Sequence, residues 1–166
     1  MAKKVNVNLN LETKALVFDM DGTIADLYGV EGWKEMLDGL DPTPYIEAEP
    51  MWNMAELVET LNELKTLGYM VIITSWLAMN TTREYDKAVR TAKKNWLDNF
   101  GFPYDELHLV KYGTTKASCT RKLGGTQILI DDNAKVREGW NLGNTIDPTT
   151  EDIIETLKAL MDRKVG

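Results

Sequence analysis

The sequence of 166 residues has little cysteine and little histidine, and this scarcity excludes several kinds of site. Its one cysteine, Cys119, has no second cysteine with which to form an intrachain disulfide. Its one histidine is His108, so a zinc site built from several Cys and His ligands is excluded. A Ser-His-Asp triad would depend on His108, whose neighbours Leu107, Leu109 and Val110 favour a structural position in a strand.

Long apolar runs and excess positive charge are also lacking. No apolar stretch approaches the length of a membrane-spanning helix, and the N-terminal residues are unlike a signal peptide, so we expect a cytoplasmic protein without membrane contact. The 19 Lys and Arg against 26 Asp and Glu give a net charge of -7, which argues against general nucleic-acid binding. The length and the 43% hydrophobic content indicate one globular domain spanning residues 1–166. The oligomeric state has no signature in this sequence.

Apolar runs of strand length alternate with helical periodicity along most of the chain, which is typical of an α/β fold with a parallel sheet covered by helices on both faces. Strands are predicted at residues 5–11, 15–18, 69–73, 106–110, 127–130 and 144–146. Helices are predicted at residues 31–37, 53–67, 81–100, 115–123 and 136–142, with a last helix capped by Thr149. One side of the 81–100 helix is basic and is expected to face solvent; it comprises Arg83, Lys87, Arg90, Lys93 and Lys94.

Three of the apolar strands end in polar, reactive side chains. These are Asp19 and Asp21, Thr74 and Ser75, and Asp131 and Asp132. The carboxyl ends of parallel strands meet at one edge of a sheet, so the three pairs are expected to converge. Residues two apart on a strand project the same way, and two such carboxylates call for a hard divalent cation, Mg²⁺, completed by water and a substrate phosphate.

The string Asp19-Met20-Asp21-Gly22-Thr23 resembles the first motif of the haloacid dehalogenase (HAD) superfamily of phosphohydrolases. The later strands that end in Thr-Ser and in Asp-Asp follow the order of that family's other motifs, and the resemblance covers roughly residues 14–160. It implies a Rossmannoid three-layer sandwich with a mostly parallel sheet, a minimal cap after the first motif, and Mg²⁺-dependent phosphomonoester hydrolysis through an aspartyl-phosphate.

The same resemblance implies a role for each motif residue. Asp19 would be the nucleophile, and Asp21 the acid that protonates the leaving oxygen and later the base that activates water. Mg²⁺ would be held by the Asp19 carboxylate, the Asp21 backbone carbonyl and one of Asp131 and Asp132, with Asp132 the closer match.

Phosphate contacts follow from the same family pattern. Thr74 would donate a hydrogen bond to a phosphoryl oxygen, and the neighbouring Ser75 is the alternative donor for the same contact. A lysine would neutralise charge on the transferring phosphoryl group; Lys116 lies where the family places it, and Lys111 and Lys122 are the alternatives.

Residues 27–52 are predicted to form a short cap or lid over the site. This segment is broken by Gly and Pro and is rich in aromatic residues. Trp33, Tyr45 and Trp52 are candidates for stacking on a substrate base, and packing against the protein body is the alternative for each.

Within the superfamily, the segments around Asp19, Thr74 and Asp131 look most like the 5′(3′)-deoxyribonucleotidase branch, which implies a nucleotide as the small phosphorylated substrate. The cap is shorter than in that branch, and Leu27 stands near where an aromatic residue is often found. A polynucleotide 3′-phosphatase acting on nucleic-acid ends, a general small-phosphate phosphatase and a non-catalytic binding protein are the alternatives.

Overall fold

A parallel sheet of five strands runs through the centre of the computed structural model, which describes residues 13–165 and the side chains of residues 13–162. The strand order is β5-β4-β1-β6-β7, and all four pairings are parallel. These strands are β1 (Lys14–Phe18), β4 (Tyr69–Trp76), β5 (Glu106–Val110), β6 (Thr126–Ile130) and β7 (Thr145–Ile146). Two short strands, β2 (Ala25–Asp26) and β3 (Glu49–Pro50), form a separate antiparallel pair. The strand predicted at residues 5–11 lies outside the described residues.

Seven α-helices lie in the described part of the chain, six of them between strands and one after the last strand. They are α1 (Trp33–Asp38), α2 (Thr43–Glu47), α3 (Met54–Thr66), α4 (Arg83–Asn99), α5 (Lys116–Thr120), α6 (Ala134–Gly139) and α7 (Ile153–Val165). Short 3-10 turns lie at Leu27–Gly29 and Arg121–Leu123. Their positions confirm the predicted alternation of strands and helices. The predicted cap of the last helix is wrong, because the Asp152 carboxylate, not Thr149, accepts from the first backbone N–H groups of α7.

The two faces of the sheet are covered by different helices, which confirms the three-layer α/β fold. Alternate residues of β1 point to opposite faces. On one face, Leu16 and Phe18 pack with residues of α3, α4 and α7. On the other, Ala15 and Val17 pack with Ala117 of α5 and with Trp140, which follows α6. The site described below therefore receives side chains from both helical layers.

The predicted solvent-facing basic side of α4 is wrong at one position. Lys93 is only 1% exposed, although Lys87, Arg90 and Lys94 on the same helix are exposed. The spacing of the apolar residues places Lys93 near the border between the apolar and basic sides of α4. The contacts that bury it involve residues distant in sequence, so the helix pattern alone does not reveal them. Its partners belong to the candidate active site.

Residues 27–52 form a segment of two short helices that docks on α4. The Tyr85 hydroxyl donates to the Asp41 carbonyl at 3.0 Å, and the Trp96 indole donates to the Ala48 carbonyl at 2.8 Å. Because these two anchors lie at separate points of the segment, the lid is held against the body over much of its length. None of the helices formed by residues 13–165 is both long and apolar enough to cross a membrane.

Candidate active site

The strand register places the first and last acidic motifs side by side. Phe18 of β1 pairs with Ile130 of β6, and the ladder continues through a hydrogen bond from the Asp19 N–H to the Ile130 carbonyl at 2.9 Å. Asp19 and Asp131 each follow these strands by one residue. Their side chains therefore emerge together at the carboxyl edge of the sheet, as the motif order predicted.

Lys116, the first residue of α5, bridges these two carboxylates. Its Nζ lies 2.8 Å from Asp19 Oδ1 and 2.7 Å from Asp131 Oδ2. The lysine is 4% exposed, and burial alone would lower its pKa, but the charges of Asp19 and Asp131 outweigh that effect and raise it. Lys111 and Lys122, the alternatives from the sequence, are both exposed. Lys116 is thus the one of the three that contacts the nucleophile candidate.

Thr23, which the sequence analysis gave no role, ties the two acidic motifs together. Its hydroxyl is fully buried and lies 3.0 Å from Asp19 Oδ2 and 3.3 Å from Asp132 Oδ1, while it accepts from the Asp132 N–H at 3.1 Å. Gly22, with φ of +81°, leaves space for this arrangement, because a Cβ there would collide with the Asp132 carboxylate. A glycine is required for both the backbone conformation and the close approach.

Asp19, Asp131 and Asp132 form a cluster that fits a divalent metal ion. One carboxylate oxygen from each lies within 4.8 Å of the others, and carboxylate oxygens are the ligands that Mg²⁺ prefers. Both Asp131 and Asp132 line the adjoining cavity, but Asp131 is only 1% exposed and already accepts hydrogen bonds from Lys116 and the Asn133 N–H, whereas Asp132 is half-buried. This difference favours Asp132 as the direct ligand and Asp131 as its support.

Burial and mutual repulsion dominate the electrostatics of the acidic cluster. Burial, assisted by the charge of Asp19, raises the pKa of Asp131 to about 6 and that of Asp132 to about 7. Among the side chains of residues 13–162, two buried ammonium groups, Lys93 and Lys116, contact these carboxylates once Asp21 is included as the fourth. A divalent cation would balance the two remaining negative charges.

Asp21 lies apart from the three clustered carboxylates and has its own lysine. Its Oδ2 accepts from Lys93 Nζ at 2.9 Å, and its side chain is 16% exposed at the cavity wall. Burial raises the pKa of Asp21 above the usual carboxyl value, and the charge of Lys93 opposes this shift. The two motif aspartates, expected to point together, are thus held by different cations from opposite helical layers.

β4 extends to Trp76, three residues beyond its predicted end, so Thr74 and Ser75 lie within the strand. Being adjacent, they face opposite sides of the sheet. Ser75 accepts a hydrogen bond from Lys93 at 2.7 Å. The fully buried Thr74 hydroxyl has no hydrogen-bond partner among the described residues. An unpaired buried hydroxyl is unfavourable, but Thr74 is not among the residues that line the cavity, so its contact with a phosphate stays a prediction.

A cavity of about 430 Å³ opens above these charged groups. Asp19, Asp21 and Lys116 line it together with Asp131 and Asp132. Two aromatic pairs complete the walls: Tyr28 with Trp33 from the lid, ring centroids 5.0 Å apart, and Trp76 with Tyr112 from the body, 4.9 Å apart. Neither Trp76 nor Tyr112 was named from the sequence, although Trp76 ends β4 and Tyr112 follows β5 by two residues, so both lie at the carboxyl edge of the sheet.

The three predicted stacking residues of the lid divide into two groups. Trp33 and Tyr45 line the cavity. Trp52 does not: its indole donates to the Thr23 carbonyl at 2.7 Å and its ring packs on the hydrophobic core. Of the two alternatives left open for Trp52, the structure shows packing against the body and not contact with the cavity. Trp52 instead links the end of the lid to the first acidic motif through its hydrogen bond to the Thr23 carbonyl.

Comparisons with known proteins show similarity in fold. No family model matches the chain, and no curated protein matches it in sequence. Solved structures do: D,D-heptose 1,7-bisphosphate phosphatase from Burkholderia thailandensis shares 15% identity at a TM-score of 0.50, with 80% of this chain and 75% of that chain covered. A haloacid dehalogenase-like hydrolase from Streptococcus pneumoniae shares 14% identity at a TM-score of 0.51, over 87% and 98% of the two chains. A protein from Mesorhizobium loti described as a HAD-like phosphatase shares 14% identity at a TM-score of 0.50, with 77% of this chain and 67% of that chain covered. The fold is thus that of HAD-like phosphatases.

Proposed function

We propose that this protein is a Mg²⁺-dependent phosphomonoester hydrolase that acts through an aspartyl-phosphate on Asp19. The observation that carries the proposal is the convergence of Asp19, Lys116, Asp131 and Asp132 at the floor of one cavity, with Asp21 at its wall. The fold shared with HAD-like phosphatases supports it. The site also fits the pattern of nucleophile, acid and charge-neutralising cation that phosphoryl transfer needs.

The proposed reaction has two steps. In the first, an Asp19 oxygen bonds to phosphorus while the bond to the ester oxygen breaks, and Asp21 delivers a proton to that leaving oxygen. In the second, water attacks the aspartyl-phosphate, Asp21 takes the water's proton, and the bond between phosphorus and Asp19 breaks to give inorganic phosphate. Lys116, held 2.8 Å from Asp19, offsets the negative charge that gathers at the reacting oxygens.

The metal would be held by the carboxylates of Asp19 and Asp132 and the backbone carbonyl of Asp21, with Asp131 in support. Mg²⁺ bound there supplies electrostatic stabilisation of the transferring phosphoryl group. Thr74 would donate to a phosphoryl oxygen, which would satisfy its buried hydroxyl. Lys116 would supply a further contact to the phosphate.

The proposed substrates are nucleoside monophosphates, including deoxyribonucleotides. The support is the aromatic lining of the cavity, since flat rings beside a phosphate site are suited to a base. Cleavage of phosphate from nucleic-acid ends is less well supported, because on the basic side of α4 Lys93 is buried and Lys94 is paired with Asp98. No second function is favoured by a specific contact.

A phosphate-release screen tests the proposal. Nucleoside monophosphates, sugar phosphates, 3′-phosphorylated oligonucleotides and p-nitrophenyl phosphate are compared with Mg²⁺ present and after its removal with EDTA. We expect turnover that EDTA abolishes and added Mg²⁺ restores, with the highest kcat/KM on nucleoside monophosphates. Activity confined to sugar phosphates or oligonucleotides would overturn the nucleotide assignment, and the absence of turnover on every substrate would favour a binding protein.

Truncation of a cavity ring should separate base contact from phosphate contact. We expect Trp33→Ala to lower kcat/KM for nucleoside monophosphates about 5- to 150-fold, the loss that corresponds to ~1 to 3 kcal/mol of stacking per base. The small ester p-nitrophenyl phosphate should be nearly unaffected, since the charged floor is intact. Steady-state kinetics on both substrates measure the difference.

Trp52→Ala is the matched control, because Trp52 belongs to the same lid but packs on the core. We expect it to lower thermal stability and to affect the two substrates alike. If Trp33→Ala behaves as Trp52→Ala does, the lid does not read a base, and the substrate is a general small phosphate ester.

A further inference from the structure

We propose that Lys93 is a positioning residue that holds the Asp21 carboxylate in the orientation needed for proton transfer to the leaving group. This inference rests on the proposed phosphatase function. Lys93 does not line the cavity, whereas Asp21 does. Lys93 therefore acts through Asp21 and has no contact with a substrate in the cavity.

The three protons of the Lys93 ammonium group have three acceptors. Nζ lies 2.9 Å from Asp21 Oδ2, 2.7 Å from Ser75 Oγ and 2.8 Å from the Trp76 carbonyl. A lysine ammonium group has three donors, so its hydrogen bonding is complete. The Tyr45 ring of the lid covers the same nitrogen, with the ring centroid 5.1 Å away. The charge is thus fixed by the end of β4, the lid and the first acidic motif together.

The burial of Lys93 argues for a role beyond packing. Removing an ammonium group from water is strongly unfavourable unless it is fully paired, and an apolar side chain often serves stability as well or better. Its neighbours on the inner side of α4, Val89, Trp96 and Leu97, are apolar, as expected for a packing surface. The one charged residue in that row is the one whose end reaches Asp21.

The contact divides the work of the two Asp21 oxygens. Oδ2 is held by Lys93, and Oδ1 has no hydrogen-bond partner among the described residues. Since the side chain is partly exposed at the cavity wall, Oδ1 is the oxygen left to meet a substrate. Without Lys93, the carboxylate would lose the contact that fixes its side-chain rotation and would deliver its proton less efficiently.

Leaving groups of different basicity test this role. In Lys93→Met, which keeps the length of the side chain and removes the charge, kcat/KM for an alkyl phosphate should fall about 100-fold or more, by analogy with the loss of general acid catalysis. For p-nitrophenyl phosphate, whose leaving group needs little protonation, we expect a loss of less than about 10-fold. Mg²⁺ affinity should change little, since the cluster of Asp19, Asp131 and Asp132 is untouched.

Trp96→Phe is the matched control on the same helix. It removes the hydrogen bond to the lid at Ala48 and leaves Asp21 and Lys93 unchanged. If Lys93 only supports the lid or the core, both variants will affect the two esters equally and lower the melting temperature. Such a result would overturn the proposal. If Lys93→Met does not fold, Lys93→Gln, which keeps a donor but no charge, takes its place in the same comparison.

A double-mutant cycle provides the second test. In the Asp21→Asn background, adding Lys93→Met should lower the remaining rate on the alkyl phosphate by less than about threefold, because the two residues act as a unit. An additional loss as large as in the wild type would show that Lys93 acts independently of Asp21, and would overturn the inference. A wild-type protein inactive on both esters would instead refute the proposed function itself.

Discussion

Replacing Asp19 with Asn should reduce kcat by on the order of 10³ or more, a rise in the barrier of at least about 4 kcal/mol. Asn has the same shape but is a far weaker nucleophile. It also removes the negative charge that Lys116 contacts at 2.8 Å and that the proposed metal ion would contact. Single-turnover phosphate release, measured with saturating Mg²⁺, reports the chemical step directly.

The same experiment can identify the covalent intermediate. Acid quenching of the wild-type reaction with a ³²P-labelled ester should trap label on the protein, and Asp19→Asn should trap none. Asp98→Asn is the charge-matched control, since Asp98 is exposed on α4 and pairs with Lys94 away from the cavity. Retention of a tenth of the wild-type rate by Asp19→Asn would remove Asp19 from the role of nucleophile.

The fold followed from the sequence because its signals are local. Apolar runs such as residues 69–73 and helical spacings such as residues 53–67 depend on near neighbours, and both elements are present within a few residues of the predicted bounds. The α/β class and the parallel sheet follow from their alternation. The end of β4 was missed because Thr74 and Ser75 are polar, and their burial is decided by β1, β5 and the helices around them.

The residues of the site were predicted correctly only where they belong to a sequence motif. The structure brings Asp19, Lys116 and Asp131 within hydrogen-bond distance, as the motif order indicated, while their chemical roles stay predictions. The contact of Lys93 with Asp21 was not predicted, because helical periodicity describes one helix at a time. It does not show which position of the helix meets a carboxylate distant in sequence. The sequence left the position of Trp52 open for a similar reason: an aromatic residue in a lid can face either the cavity or the body, and composition does not distinguish these.

The division of labour between the two motif aspartates leads to a second large effect. In Asp21→Asn we expect turnover to fall by about 10² to 10⁴, the usual contribution of a general acid and base, while Mg²⁺ affinity stays within a few-fold. The amide can still accept a hydrogen bond from Lys93, but it has no acidic proton to deliver. The side chain of Asp21 also lies outside the carboxylate cluster of Asp19, Asp131 and Asp132, so the metal ligands remain.

Two measurements on Asp21→Asn decide the assignment, a calorimetric titration with Mg²⁺ and a series of esters with leaving groups of increasing basicity. The loss of rate should grow with leaving-group basicity, since the poorest leaving groups depend most on protonation. Asp38→Asn is the matched control, because Asp38 also lines the cavity but lies outside the carboxylate cluster, and it should keep most of its rate on every ester. If Mg²⁺ binding by Asp21→Asn falls in proportion to its rate, the Asp21 side chain serves the metal, and the acid must be sought among the other groups at the cavity wall.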